Sequence, residues 1–277
     1  MKELLTLYSK HSVHGEEWDV ITYVRNWIED HGVGTEIIDG NLVVTNSKCN
    51  LWLSAHADQV FTNGKASHFL SDGDVISGYT ENFQRTSLGA DDKNGVWIIM
   101  KMIESGRIPN IIISYGEEVG LLGIRDVIGK IKFKDDDYCI VLDRRGFGQV
   151  LSKGCAATYA KNLGNKLIEF LGNSFYDATG TVSDANVISE YVETVNMSVG
   201  YYNAHTPREY TSFTELQWTL DSIKSVYDDF RYEADKDWRK HGKEVLSYGR
   251  WKTGSDDKRL ERSNRNRTSF FGLWKRS

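Results

Sequence analysis

The stretch Ile111–Gly123, IIISYGEEVGLLG, restricts the possible folds of this chain more than any other. A short continuous apolar run bounded by turn residues reads as a strand covered on both faces, here Ile111–Tyr115. Two glutamates, Glu117 and Glu118, follow it directly. Open α/β sheets bind their ligands at the carboxyl ends of their strands. Taken alone, such a pair is a solvated acidic turn. At the edge of a buried strand, two adjacent carboxylates repel each other and require a positive partner between or beside them.

The flanking sequence supports a layered α/β architecture. A short helix is expected over Leu4–Ser9 and a longer one over Glu16–Asp30, where Val20, Ile21, Val24, Trp27 and Ile28 recur at helical spacing. Asp39-Gly40 joins two strands, near Gly34–Ile38 and Leu42–Thr45, as a hairpin. A strand over Leu51–Ala55 ends in His56-Ala57-Asp58. A second hairpin turns at Ser71–Asp74. The segment GADDKNG, Gly89–Gly95, precedes a helix over Val96–Glu104. A helix near Leu121–Ile128 and a strand Tyr138–Leu142 come next, the strand running into Asp143. Val150–Leu151 is a short strand. Further helices are expected over Leu163–Leu171 and Asp184–Tyr191, with Ser183 as N-cap. A strand Thr194–Val199 leads to the turn Asn203–Pro207, which carries His205. A long amphipathic helix starts at Phe213 and reaches about Leu246. Strands alternating with helices predict a three-layer sandwich, a mixed and mostly parallel sheet between helices.

At 277 residues and 40% apolar composition the chain can fill a sizeable core. Its net charge of −5 points to no general nucleic-acid or membrane-surface role. Cys49, Cys139 and Cys155 form no CxxC pair, and an odd, scattered set fits free thiols in a reducing, cytoplasmic compartment. No signal peptide and no membrane span are expected. From Ser247 to Ser277 the composition changes: nine Lys/Arg face three Asp/Glu, a net of about +6. This segment reads as a basic, solvated tail after a domain spanning 1–246, and nucleic-acid attraction is the lesser reading.

Chemistry-bearing residues follow several predicted elements in the same manner: His56 with Asp58, Asp91, Glu117 with Glu118, and Asp143, joined by His205 from a loop. A single His or Asp after a strand is usually a turn or capping residue; the repetition is what stands out. Imidazole and carboxylate without thiolate suit a catalytic zinc, cobalt or manganese site. The donors outnumber the needs of one tetrahedral ion. Two divalent ions about 3.5–4 Å apart, sharing a carboxylate, would use them all.

The order HxD, the Asp of SLGADDKNG, the pair of GEEVGLLG, a further Asp and the His of AHTPREY resembles the co-catalytic zinc metallopeptidases, the group of leucyl-type aminopeptidases, peptidase T and the aminoacylase/carboxypeptidase enzymes. The resemblance spans roughly residues 1–225 and implies a zinc-exopeptidase fold. It implies that His56 and Asp143 bind one metal ion, Glu118 and His205 the other, and that Asp91 bridges them. Asp58 would hold the free ring N–H of His56. Glu117 would act as general base on a metal-bridging water and pass the proton to the leaving amine. A non-proline cis peptide is implied between Asp91 and Asp92.

Two spacings refine this reading. Asp143 and His205 lie 62 residues apart, which leaves no room for the lid domain that aminoacylase-like members carry there. His56 and Asp91 lie 35 apart, so the insertion of glutamyl-type aminopeptidases is also missing. Asp at 143 inclines the resemblance towards an aminopeptidase on short peptides, acting as a monomer or simple homo-oligomer. The alternatives are an amidohydrolase or carboxypeptidase acting on N-acyl amino acids, and a metal-binding pseudoenzyme. A free-amine substrate needs an acceptor, for which Asp184 and Glu209 are candidates, and the turn Gly180–Asp184 is expected to line the pocket. Tyr201, Tyr202 and Arg208 are candidates for shaping specificity.

Overall fold

The computed structural model of the chain describes residues 1–60, 63–153 and 160–234. The chain opens with helices α1 (Lys2–Tyr8) and α2 (Trp18–Asp30), followed by the hairpin β1 (Glu36–Ile38) and β2 (Asn41–Val44). Asp39 and Gly40 turn that hairpin with φ of 46° and 82°, the left-handed pair a two-residue Asp-Gly turn requires. Strands β3 (Leu51–His56), β4 (His68–Asp72), β5 (Val75–Tyr79) and β6 (Arg85–Thr86) lead to helix α3 (Ala90–Glu104). Then come β7 (Asn110–Ser114), α4 (Leu122–Val127), β8 (Tyr138–Arg144), β9 (Gln149–Lys153), α5 (Lys161–Leu171) and β10 (Tyr176–Thr179). Helix α6 (Asp184–Ile188), strands β11 (Glu193–Ser198), β12 (Tyr201–Tyr202) and β13 (Tyr210–Ser212), and helix α7 (Phe213–Asp229) complete the fold.

Eight strands form one sheet in the order β1-β2-β7-β3-β8-β11-β9-β10. Its centre, β7-β3-β8-β11, is parallel throughout, and antiparallel pairs lie towards the edges. Side chains alternate across the sheet and divide the core in two. Leu51, Leu53 and Ala55 of β3, with Ile111 and Ile113 of β7, face a layer made by α1, α2, α3, α5 and α7. Trp52 and Ile112 face the other way, against α4 and α6, together with Cys139 and Val141 of β8. This is the predicted three-layer α/β sandwich. A smaller sheet, β12-β13-β5-β4 with β6 on β5, stands apart from it.

Helix α3 lies against β3 and β8 because residue 95 is glycine. A Cβ there would stand 2.3 Å from the carbonyl oxygen of Leu142 and 2.6 Å from Oδ1 of Asp92. The peptide between Asp91 and Asp92 is cis, as the resemblance implies. The helix begins at Ala90 rather than Val96, with non-helical backbone at Asp91 and Asp92.

Two predicted helices are shorter than expected. Helix α6 stops at Ile188, although its Ser183 cap forms, in a capping box with Asn186. Helix α7 stops at Asp229 rather than near Leu246. Asp228 and Asp229 place negative charge at the end of a helix, where the dipole disfavours it. Phe230 then turns extended (ψ 120°) and packs edge-on against Tyr138 at 5.8 Å. The expected continuation over 235–246, the basic segment 247–277 and Cys155 lie outside the described residues, whereas Cys49 and Cys139 are free thiols. Strands β6, β10, β12 and β13 went unpredicted, since each is short and lacks an apolar alternation. Among the described residues no helix is long and apolar enough to cross a membrane.

Candidate metal centre

Three neighbouring parallel strands bring their carboxyl ends to one edge of the sheet. Strand β3 ends in His56, β8 carries Asp143 next to its last residue, and the turn after β7 carries Glu117 and Glu118. The start of α3 supplies Asp91 beside them. His205 enters from the loop between β12 and β13, with φ of 63°, a left-handed conformation that is uncommon for a residue with a side chain.

These side chains converge. Asp91 stands between the two imidazoles: its Oδ1 lies 3.2 Å from Nε2 of His56 and its Oδ2 lies 3.2 Å from Nε2 of His205. Oδ1 of Asp143 is 3.8 Å from Nε2 of His56, and Oε1 of Glu118 is 2.6 Å from Nε2 of His205. Ligand atoms within 4.8 Å of one another form three groups: His56–Asp92–Asp143, Asp91–Glu118–His205 and His56–Glu117–Glu118. Asp92 is already engaged, because its carboxylate accepts the backbone N–H of His56 at 3.1 Å and of Gly95 at 3.1 Å.

Asp58 is fully buried beneath this layer. Its carboxylate accepts the backbone N–H groups of Glu117 at 2.9 Å and Glu118 at 3.0 Å. Nδ1 of His56 faces the carbonyl oxygen of Asp58 at 3.1 Å and its Oδ1 at 3.3 Å. A proton on Nδ1 is held there, so Nε2 is the nitrogen that faces Asp91 and Asp143 and the one that would bind a metal ion on giving up its proton. The HxD segment thus ties the end of β3 to the turn after β7.

The electrostatics are those of crowded like charges. Burial, moderated by His56 and reinforced by Asp184, Glu118 and Asp91, raises Glu117 to about 8. Burial, together with the charge of Asp91, also lifts Asp143 well above the usual carboxylate range. Burial works against the charge of Asp91, yet hydrogen bonds from His205 and His56 hold it below that range. Hydrogen bonds to Asp91 and Glu118 raise His205 to about 10. A divalent cation would neutralise this crowd. At zinc–ligand distances of about 2.0 Å, neighbouring tetrahedral donors lie about 3.3 Å apart. The separations of 3.2, 3.2 and 3.8 Å bracket that value, and only the 2.6 Å contact of His205 with Glu118 would have to open. The donor set fits a divalent ion.

A cavity of about 340 Å³ opens above the cluster. Asp91, Glu117, Glu118, Asp143 and His205 form one part of its wall; Thr181, Val182 and Ser183 form another, as expected of the turn before α6. Tyr201 also lines it, and its hydroxyl donates to Oδ1 of Asp143 at 3.3 Å. Tyr202 and Arg208 are not among its lining residues, and the Tyr202 hydroxyl donates to Glu215 instead.

Neither candidate amine acceptor lines this cavity. Asp184 is buried and accepts the Ser114 hydroxyl at 2.5 Å. Glu209 is buried and accepts the backbone N–H groups of Leu88 and Gly89, each at 2.7 Å, and of Asp91 at 3.3 Å. It holds the loop that delivers Asp91. Sequence reasoning also passed over Arg144 and Arg145, which line the cavity directly after Asp143.

No protein-family model and no curated protein matches the chain in sequence. Solved structures do resemble it. Aminopeptidase PepT from Bacillus cereus superposes with a TM-score of 0.68 at 17% identity, over 82% of this chain and 96% of that one. An aminopeptidase from the archaeon Desulfurococcus kamchatkensis gives 0.62 at 16%, over 87% and 98%. The TET1 peptidase of Pyrococcus horikoshii, which can assemble into a tetrahedron or a large octahedral shell, gives 0.61 at 15%, over 82% and 99%. At such identities the likeness establishes the fold. The chain has the α/β architecture of these peptidases over nearly their whole length.

Proposed function

We propose that the chain is a metallopeptidase of the aminopeptidase kind, acting on short peptides with two divalent ions, most simply zinc. The observation that carries this reading is the placement of Asp91, with one carboxylate oxygen towards each imidazole. His56 and Asp143 would hold one ion, Glu118 and His205 the other, and Asp91 both. When bound, the ions supply Lewis acidity and a water of lowered pKa. Glu117 lines the cavity, and its carboxylate makes no hydrogen bond with another described residue. Its carboxylate accepts the proton of the attacking water and delivers it to the leaving amine. In the metal-free protein burial raises this carboxylate, and bound cations would draw it back towards the ionised form that acts as a base. Asp58 holds His56 and the backbone of both glutamates in place. The peptidase folds it resembles support the reaction class, and homo-oligomer formation fits the same company.

The test is metal content and turnover together. Zinc- or cobalt-loaded protein is expected to carry about two ions per chain and to hydrolyse free-amine dipeptides. Glu117→Gln is expected to keep its metal and lose about 10²–10⁴-fold in kcat. Full activity in that variant would end the proposal.

A second reading, an amidohydrolase or carboxypeptidase on N-acyl amino acids, is favoured by one observation. Among the described residues, the cavity wall holds no carboxylate beyond the proposed ligands and Glu117 to receive a free amine. Offering each dipeptide with a free and an acetylated N-terminus separates the two readings.

A further inference from the structure

Arg144 and Arg145 bring positive charge to a cavity whose remaining charged lining is mostly acidic. Both follow Asp143 at the end of β8 and line the cavity above the cluster. Arg145 is exposed, and its guanidinium makes no ion pair with a described residue. Arg144 is half-buried; its Nε donates to Oε1 of Gln149 at 2.8 Å, which fixes the stem and leaves the terminal nitrogens without an ion pair among the described residues. Two neighbouring arginines in one cavity wall, neither in an ion pair with a described residue, form a site that an anion relieves. The planar guanidinium matches a carboxylate in particular.

Resting on the peptidase reading above, we propose that Arg145, with Arg144 beside it, forms a carboxylate-binding subsite, so that the preferred substrate carries a carboxylate within about one residue of the scissile bond. The cavity of about 340 Å³ is of a size for a dipeptide rather than a long chain. A peptide held with its scissile carbonyl at the acidic cluster presents its far end to the arginines. The carboxylate has two possible sources, the free C-terminus of a dipeptide or an acidic side chain on the residue after the bond.

The experiment measures binding by calorimetry with the metal-loaded Glu117→Gln protein, where turnover does not interfere. The probes are Ala-Leu against Ala-Leu-amide, and Ala-Glu-amide against Ala-Gln-amide. A charge-assisted bond to the guanidinium is expected to make the acid of one pair bind about 10–100-fold more tightly than its amide. The pair that shows this identifies the source of the carboxylate. Adding Arg145→Gln, at an exposed position, is expected to abolish the preference, and adding Arg144→Gln to reduce it. Binding of acid and amide within twofold in both pairs, absence of detectable binding of either acid, or a preference that survives Arg145→Gln would each overturn the proposal. The last outcome would assign the carboxylate to the metal ions. In the enzyme with Glu117 intact, Arg145→Gln is expected to raise KM for the preferred acid with kcat little changed. Failure of that enzyme to hydrolyse any of the peptides would remove the peptidase reading, while the calorimetry still decides the subsite.

Discussion

Gly95→Ala tests how closely the candidate metal centre depends on the packing of α3. An ordinary Cβ contact is 3.4–4 Å, whereas the added methyl would meet the Leu142 carbonyl oxygen at 2.3 Å. About 1 Å of separation must be created. The obstacle is backbone of a central strand, and the next contacts are the two carboxylate oxygens of Asp92, at 2.6 and 2.8 Å. Neither yields easily, since Asp92 is itself held by the backbone of His56 and Gly95. Overpacking of this kind costs about 3 kcal/mol. For a domain of this size that corresponds to a fall in Tm of roughly 6–12 °C. The functional effect should be larger in proportion, because the displaced end of the helix carries Asp91. A misplacement of about 1 Å at a reacting centre lowers turnover by about 10²-fold. Differential scanning fluorimetry, metal content and kcat/KM are measured on one preparation. Gly34→Ala is the control, since nothing lies within 4 Å of its Cβ position, and it should stay within about 0.5 kcal/mol of the parent. A Gly95→Ala protein with parental Tm, metal content and turnover would refute the claim that close approach of α3 to β8 positions Asp91.

Asp58→Ala strips the acceptor from two backbone N–H groups and removes the carboxylate beside Nδ1 of His56, whose bond to the main-chain oxygen of residue 58 remains; it is expected to lower metal affinity about 10–100-fold, read by competition with a chelating dye. Asp58→Asn, which keeps one acceptor oxygen, should fall between. The metal-free protein is expected to lose stability as pH rises from 5 to 7. Glu117, Glu209 and Asp184 are raised to about 8, 7 and 6, so each favours the fold while protonated, and that contribution is lost as pH climbs through the folded value. His205, raised to about 10, acts in the same direction above its unfolded value, while Lys93, lowered by burial to about 7, opposes it only above pH 7. Urea titrations of chelator-treated protein at pH 5, 6 and 7 measure the effect. A flat or rising midpoint would show that the acidic crowd is not the dominant titrating element, and saturating zinc should flatten the profile.

The sheet and its layers were legible because burial on both faces leaves a mark in sequence. Ile111–Ile113, Leu51–Leu53 and Ile140–Leu142 are apolar without alternation, and only a strand between two helical layers accepts that pattern. The cluster was legible for a related reason. His56, Glu117 and Asp143 each follow such a run, so the chemistry is written beside the fold signal. The small second sheet was mostly not legible. Strands β6, β12 and β13 hold two or three residues each, and their pairing is decided by partners far away in sequence. The end of α7 was missed because apolar residues continue past Asp229, and only the packing of Phe230 on Tyr138 shows that the helix has stopped.

Glu209 shows where reading from sequence reaches its limit. An acid four residues after His205 is as well placed in sequence to receive a substrate amine as to do anything else. What decides its role is the backbone that surrounds it: three amide N–H groups, from Leu88, Gly89 and Asp91, point at its carboxylate. Those donors would be left unsatisfied and buried if the side chain turned to a ligand, a loss of about 1–3 kcal/mol for each. A substrate amine offers one charge-assisted bond in return. Glu209 therefore stays with the loop, and the acids proposed to act on the substrate are those whose oxygens the backbone leaves free. Asp91, Glu117, Glu118 and Asp143 share that property: none of their carboxylates accepts a main-chain N–H from a described residue. Asp58 and Asp92, equally acidic and equally near, do not share it. The proposed division between groups that build the site and groups that act in it follows from which main-chain hydrogen bonds each carboxylate already satisfies.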